Sequence, residues 1–262
     1  MSGALHFDDE ASRRLEEAYT TDALVAQRRA VVELLALRPG ERVLDVGVGP
    51  GLLAADLARQ VGSAGRVCGV DTSDSMIALA GRRAAAEGSA PIELRRADAV
   101  ALPYADATFD VGVTTQVLEY VADVPTALAE LGRVLRPGGR VLVLDTDWDS
   151  VVWHSRDRAR TERVLRAWEQ HLADPHLPRR LLGHLERAGF EVEPVLVLPL
   201  LDVGYRPDAF SAGLLDLVAA FVGDRDGLTP ADAEAWASDL RSLGREYFFS
   251  LNRYVFRGTR AG

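Results

Sequence analysis

The run Leu44–Asp45–Val46–Gly47–Val48–Gly49–Pro50–Gly51 joins an apolar stretch, an acidic residue and glycines at alternate positions, and Leu52–Ala58 follows at helical spacing. That order predicts a strand, a tight loop and a helix start, the place where α/β sheets receive nucleotides. Glycine suits such a loop because its backbone adopts positive φ and comes close to a ligand. The helix that follows offers free N–H groups and a partial positive charge to a carboxylate or phosphate. A dinucleotide fingerprint of the form G-x-G-x-x-G would need glycine at position 52, where Leu52 stands. A nicotinamide dinucleotide, another adenosyl ligand or an ordinary glycine-rich turn therefore remain as readings of the string alone. Asp71, twenty residues beyond Gly51, ends a second apolar run, where a carboxylate accepts two hydrogen bonds from a ribose diol.

Composition narrows the chemistry. The chain has 262 residues, 48% hydrophobic and 26% charged, which fits one globular domain carrying a cap. All 30 basic residues are arginine, so lysine Schiff bases, pyridoxal phosphate attachment and a P-loop lysine are excluded. A net charge of −9 disfavours nucleic acid as a partner. Cys68 is the sole cysteine, which leaves no disulfide framework and no cysteine-based zinc site. No apolar run reaches the length of a membrane span, and Met1–Glu10 lacks the basic and apolar regions of a signal peptide, so the expected location is the cytoplasm.

Periodicity supplies the elements that must hold these residues. Helical spacing covers Ala11–Leu37, about 51–60, Ser73–Glu87 and Val124–Leu135; strands are expected at about 42–46, Arg66–Asp71, Ile92–Arg95, Phe109–Thr114 and Arg140–Leu144. Beyond these, Thr161–Leu172 and Pro178–Ala188 read as helices, and Phe190–Leu200 as a strand broken at Pro194. Residues 207–245 read as helices broken near Gly223–Pro230, and Tyr247–Phe256 as a final strand. Alternating strands and helices predict an α/β, Rossmann-like doubly wound sheet with helices on both faces. The expected organisation is a single domain over 1–262: N-terminal helical cover 1–37, core 38–200, helical lid insertion 201–246 and last strand 247–262.

With Asp45 two residues before the first glycine, G-x-G-x-G resembles motif I of the class I S-adenosylmethionine (SAM)-dependent methyltransferases. Arg38–Pro39–Gly40, Leu131–Arg140 and the string Leu102–Pro103–Tyr104–Ala105–Asp106–Ala107–Thr108–Phe109–Asp110 resemble the ubiquinone/menaquinone-biosynthesis type of that family, with Tyr104 where the family has Phe. The resemblance covers roughly residues 38–145 and implies a seven-stranded sheet whose last strand is antiparallel and lies between the fifth and sixth. It also implies SAM as cofactor and S-adenosylhomocysteine as product. Asp45 and the Gly47, Gly49 and Gly51 amides would flank the amino-acid end, Asp71 the ribose, and Thr72, Met76, Asp98 and Ala99 the adenine, with the Gln116 backbone under the methionine part. Arg28 and Tyr19 of the N-terminal helix would close over the carboxylate and the methyl. A histidine is frequent in the family where Tyr120 stands.

On the acceptor side the candidates are Tyr120, Trp148 and Asn252, with Asp147 or His154 as base or orienting group. Asp145, Asp147 and Asp149 alternate as metal ligands would, but no second ligand cluster accompanies them, so no metal is expected. The apolar residues of 201–246 suggest a lid over a small organic molecule or, equally, a dimer surface. The reading is methyl transfer to a small molecule, oxygen before carbon or nitrogen, with a homodimer as a possible assembly. The alternatives are a SAM-fold enzyme of non-methylating chemistry such as cyclisation, and a non-enzymatic SAM-binding or partner protein.

Overall fold

A computed structural model describes residues 19–262. Near-continuous apolar runs make the centre of a sheet, because a strand covered on both faces has no polar side to show. These are β1 (Arg42–Val46), β2 (Arg66–Asp71), β4 (Phe109–Thr115) and the second half of β5 (Leu135–Thr146), while β3 (Ile92–Arg96) alternates apolar and charged residues at the edge. They lie parallel in the order β3-β2-β1-β4-β5, and β9 (Phe248–Arg260) runs antiparallel beside β5. On the far side of β9 lie β7 (Phe190–Val192) and β8 (Leu196–Val203), one broken strand in effect, as Pro194 between them has no N–H for the ladder. A two-residue β6 (Val152–Trp153) also pairs with β9, giving nine strands. The doubly wound sheet with an antiparallel last strand is as expected from the sequence.

Two helical layers cover the parallel strands. On one face α1 (Asp22–Leu35), α2 (Leu52–Val61) and α3 (Asp74–Ala86) bury Val31, Leu57 and Ala80 against Val43, Val113 and Leu144. On the other, α4 (Val124–Val134) and α6 (Pro178–Arg187) bury Leu128 and Leu181 against Leu44, Val141 and Val143. Local signals set the helix starts. The Ser73 hydroxyl caps α3, Asp123 caps α4, and Thr229 with Asp232 forms a capping box.

A third cluster stands apart at the C-terminal edge. There α5 (Arg158–Trp168), α7 (Phe210–Val222) and α8 (Pro230–Arg241) enclose Trp153, Trp168, Val218, Phe221, Trp236 and Phe249. The fifth strand begins at Leu135 rather than Arg140, with a register shift opposite Phe109–Val111 that absorbs the Pro137–Gly138–Gly139 turn. The helix expected over Thr161–Leu172 starts earlier, where Asp157 caps it, and tightens to a 3-10 turn after Trp168. The expectations on Met1–Glu10 and on residues 11–18 lie outside the described residues. Among the described residues no helix is long and apolar enough to cross a membrane.

Candidate active site

The ends of β1, β2, β4 and β5 converge on the glycine loop. Gly47, Gly49 and Gly51 have φ of +76°, +51° and +79°. A Cβ on Gly47 would lie 2.2 Å from Val117 Cγ2, and one on Gly51 would lie 3.0 Å from Ala80, whereas Gly49 has nothing within 4 Å. The outer glycines thus permit packing, and the three amides expected to hold a carboxylate are already bonded, Gly47 N–H to the Val70 carbonyl at 2.8 Å, Gly51 N–H to the Val48 carbonyl at 3.0 Å and Gly49 N–H to Asp71. The first turn of α2 follows at once, with its N–H groups facing the loop.

Two carboxylates frame the loop. Asp45 is 1% exposed, and its Oδ2 has no hydrogen-bond partner. Burial first, and the Asp71 charge second, push its carboxyl up to about 7. A buried, unpartnered carboxylate oxygen beside an open loop suits an ammonium group. Asp71 Oδ2 accepts the Gly49 N–H and its Oδ1 accepts the Ser73 N–H, both at 2.9 Å. Burial raises the Asp71 pKa against these bonds, and each oxygen keeps a lone pair for a ribose diol. Beyond β2, Met76 is buried at the start of α3, while Thr72 and the Asp98 carboxylate at the end of β3 are exposed; Ala99 is buried beside Asp98.

At the end of β4, Gln116 holds a φ of +57°, rare for a residue with a side chain. Its Oε1 accepts the Thr146 hydroxyl at 2.7 Å, and its Nε2 is buried without a partner. Such strain and an orphaned donor are costs that packing alone does not call for. From α1, Arg28 Nη1 donates to the Tyr19 carbonyl at 2.6 Å and Nε donates to Asp56 at 3.3 Å, so this arginine ties α1 to α2. Tyr19 is half-buried against the third cluster.

The acceptor side differs from the sequence expectation. Asp147 accepts from Arg179 Nε at 2.7 Å and Nη2 at 3.0 Å, and it contacts His176 Nδ1 at 3.1 Å. These partners outweigh burial and hold its carboxyl below the usual range, which disarms it as a base at neutral pH. Asp147, Asp149 and His176 bring ligand atoms within 4.8 Å of one another, but the Arg179 guanidinium binds both aspartates and already supplies the positive charge. His154 is exposed, one residue past Trp153, which is buried against Trp236 and Phe249. Trp148 is 8% exposed, edge-on to Trp168 and His171, and belongs to the packed third cluster. Tyr120 is 42% exposed and lies edge-on to His171. Asn252 is half-buried, and its backbone is bonded to the Ser150 hydroxyl.

The residues brought together there are others. Glu119, in the 3-10 turn after β4, is 1% exposed, and its Oε2 accepts Trp148 Nε1–H at 3.2 Å. Burial pushes its carboxyl up to about 7, with Arg253 and Trp148 opposing. Asp145 is fully buried, accepts the Val117 N–H at 3.1 Å and has an orphaned Oδ2. Burial and the neighbouring Glu119 raise its pKa well above the carboxylate range. Arg253 of β9 completes the group; it pairs in register with Thr146, and its Nη1 donates to Gln27 Oε1 of α1 at 2.7 Å.

The family model for a methyltransferase domain matches residues 44–143, the span from the end of β1 through β5. Over that span the chain is similar to class I methyltransferase domains. A 37.1 kDa protein of transposon TN4556 from Streptomyces fradiae is 39% identical over 187 residues, 70% of this chain and 52% of that protein. The 2-phytyl-1,4-naphtoquinone methyltransferase of Synechococcus elongatus is 44% identical over 119 residues, 45% of this chain and 51% of that enzyme. The chain thus spans about half the length of the curated relatives it matches. The solved structure of the 4+2 cyclase SpnF superposes with a TM-score of 0.58 at 26% identity, covering 88% of this chain and 80% of that one. The likeness is to the ubiquinone/menaquinone type, as motif I and the Leu102–Asp110 string imply. The match ends within β5, before the elements that follow it.

Proposed function

We propose that this protein transfers the methyl group of SAM to a small, ring-bearing organic acceptor, of the quinone type that the Synechococcus relative's name describes, in the cytoplasm. The observation that carries the reading is the alignment of three features along adjacent strand ends: the orphaned Asp45 carboxylate, the first turn of α2 and the Asp71 carboxylate. That spacing suits an ammonium, a carboxylate and a ribose diol held in one extended molecule. SAM, when bound, supplies a methyl on a sulfonium, which needs alignment and exclusion of water more than a fixed triad. Asp45 would hold the ammonium, the first-turn amides of α2 the carboxylate, and Asp71 the ribose. Thr72, Met76, Asp98 and Ala99 would border the adenine, and Gln116 the methionine chain. Arg28 and Tyr19 would cover the cofactor from α1.

Oxygen is the proposed acceptor atom, with Glu119 rather than Asp147 or His154 as base. A carboxyl near 7 is matched to removing a phenolic or enolic proton at neutral pH. The helices α7 and α8 of the 201–246 insertion serve as lid, and the single-domain organisation follows from it. The exposed apolar edge of β8, with Leu201 at 57% and Val203 at 65%, suits a homodimer contact.

Similarity to a 4+2 cyclase supports a second reading, in which the same cofactor-shaped half carries a cyclisation instead. Titration calorimetry with SAM and S-adenosylhomocysteine, with NADH as control, tests the common part, and product mass separates the two. Micromolar binding lost in Asp71→Ala is the expected result. Binding of NADH in place of the adenosyl sulfur compounds would reverse the cofactor assignment, and a product of unchanged mass would favour the cyclase.

A further inference from the structure

Arg253 is 6% exposed, and its Nε has no hydrogen-bond partner. Among the described residues no carboxylate lies within ion-pair distance of its guanidinium; its bond to Gln27 is to a neutral amide, and the Phe210 ring centroid lies 5.4 Å from its Cζ. An arginine stays charged, so a buried one without a counter-charge is a destabilising arrangement. The groups that face it from the elements packed around it are Tyr19, Glu119, Tyr120 and Asp145. Two are neutral phenols, and the two carboxyls form a buried pair that resists ionising.

Position decides which ligand the charge serves. The glycine loop follows β1, while β9 lies three strands away in the order β1-β4-β5-β9, roughly 14 Å across the sheet. The loop end of the site has Arg28 on α1 beside it, tied to Asp56. Arg253 instead stands past β5, between Gln27 of α1 and Phe210 of α7, where a molecule lying beyond the methyl would sit.

We infer that Arg253 is the specificity-determining residue for the acceptor and that the acceptor presents an anionic oxygen, a carboxylate or an ionised phenol or enol, to its guanidinium. The inference rests on the cofactor reading above, since that reading fixes which end of the site is left for the acceptor. Phe210 gives the ring of such a molecule an apolar neighbour, and Gln27 fixes one edge of the guanidinium so that the Nε edge stays free. The oxyanion left when Glu119 takes a phenolic proton has its counter-charge in place.

The probes are 1-naphthoate and its neutral isostere 1-naphthamide, titrated by calorimetry at pH 6 into protein saturated with S-adenosylhomocysteine. The wild type is expected to prefer naphthoate by about tenfold or more, the scale of a hydrogen bond to a charged group. Arg253→Met should abolish that preference and Arg253→Lys should keep part of it. S-adenosylhomocysteine affinity should stay within about twofold of wild type in both. Because Arg253→Met removes an unpaired buried charge, its melting temperature without ligand should match or exceed that of wild type, which an arginine with only a structural role would not allow. Equal binding of the two probes, no binding of either, or loss of S-adenosylhomocysteine binding in Arg253→Met overturns the inference. Failure of wild type to bind S-adenosylhomocysteine, with the naphthoate preference intact, overturns the cofactor reading and leaves the anion site standing.

Discussion

Asp45→Asn should move stability and binding in opposite directions. The folded carboxyl titrates at about 7 against 3.8 in the unfolded chain, because burial and the Asp71 charge disfavour the anion. A raised acid pKa means that the folded state binds the proton more tightly, so its contribution is present below the unfolded value and is lost as pH rises toward 7. At about 1.36 kcal/mol per unit, the ionised carboxylate costs the ligand-free protein on the order of 4 kcal/mol at pH 8. The amide removes that cost but leaves its own donors in a site where Oδ2 already lacks a partner, which returns about 1–3 kcal/mol. The net gain, roughly 1–3 kcal/mol, corresponds to a melting temperature higher by several degrees at pH 8. At pH 5 the folded carboxyl is protonated but the unfolded one is ionised, so about 1.6 kcal/mol of the cost remains, and the amide's own penalty should cancel it, leaving a net gain near zero. The same substitution removes the counter-charge for an ammonium and should weaken S-adenosylhomocysteine about tenfold to a hundredfold at pH 8. Differential scanning calorimetry at both pH values and a titration at pH 8 read the two effects. A gain equal at pH 5 and pH 8, or an affinity within about threefold of wild type, would refute the reasoning.

The other predictions are simpler. Gly47→Ala places a methyl 2.2 Å from Val117 and should lower the melting temperature markedly, whereas Gly49→Ala, also at positive φ but with nothing within 4 Å, should cost only about 1–2 kcal/mol of backbone strain and chiefly impair cofactor titration. Equal loss of stability in the two variants would contradict the division of roles among the glycines. With a methylatable phenol, Glu119→Gln should cut kcat by about a hundredfold or more and abolish an acid limb near pH 7; an unchanged profile dismisses Glu119 as base. Burial holds the His171 imidazole down at about 4, so its contribution to stability is present above pH 6.5 and is lost as pH falls toward 4. His171→Phe should flatten urea stability over that window, and an identical pH slope in the two proteins argues against it.

The glycine loop and the strand ends beside it were legible because their information is local. Asp45 and the three glycines sit within one loop, and the run that ends at Asp71 is a strand by composition alone, so spacing sufficed. The acceptor half depends on partners far apart in the chain. Asp147 looked free, and Arg179, 32 residues on, takes it. Arg253 meets Gln27 across 226 residues, a pairing that no local pattern announces. The last strand is readable from the sequence, but Asn252, the residue that its polarity singles out there, is not the one turned toward α1. Side chains alternate across a strand, and it is Arg253 that faces α1. Glu119 and Asp145 do carry a local signal, two acidic residues following apolar runs near neighbouring strand ends.

The third hydrophobic cluster has a consequence for how such a chain can diversify. Trp153, Trp168, Phe221 and Trp236 pack among themselves and share none of their buried residues with the two cores that clamp the parallel strands. Mutations there are felt within the cluster and leave the glycine loop in place. A lineage could therefore inherit the residues up to β5 almost unaltered while the helices after it drift, are replaced or arrive by recombination. One ancestral cofactor module would then serve many acceptors, and chimaeras joined after Thr146 are the natural laboratory version of that history.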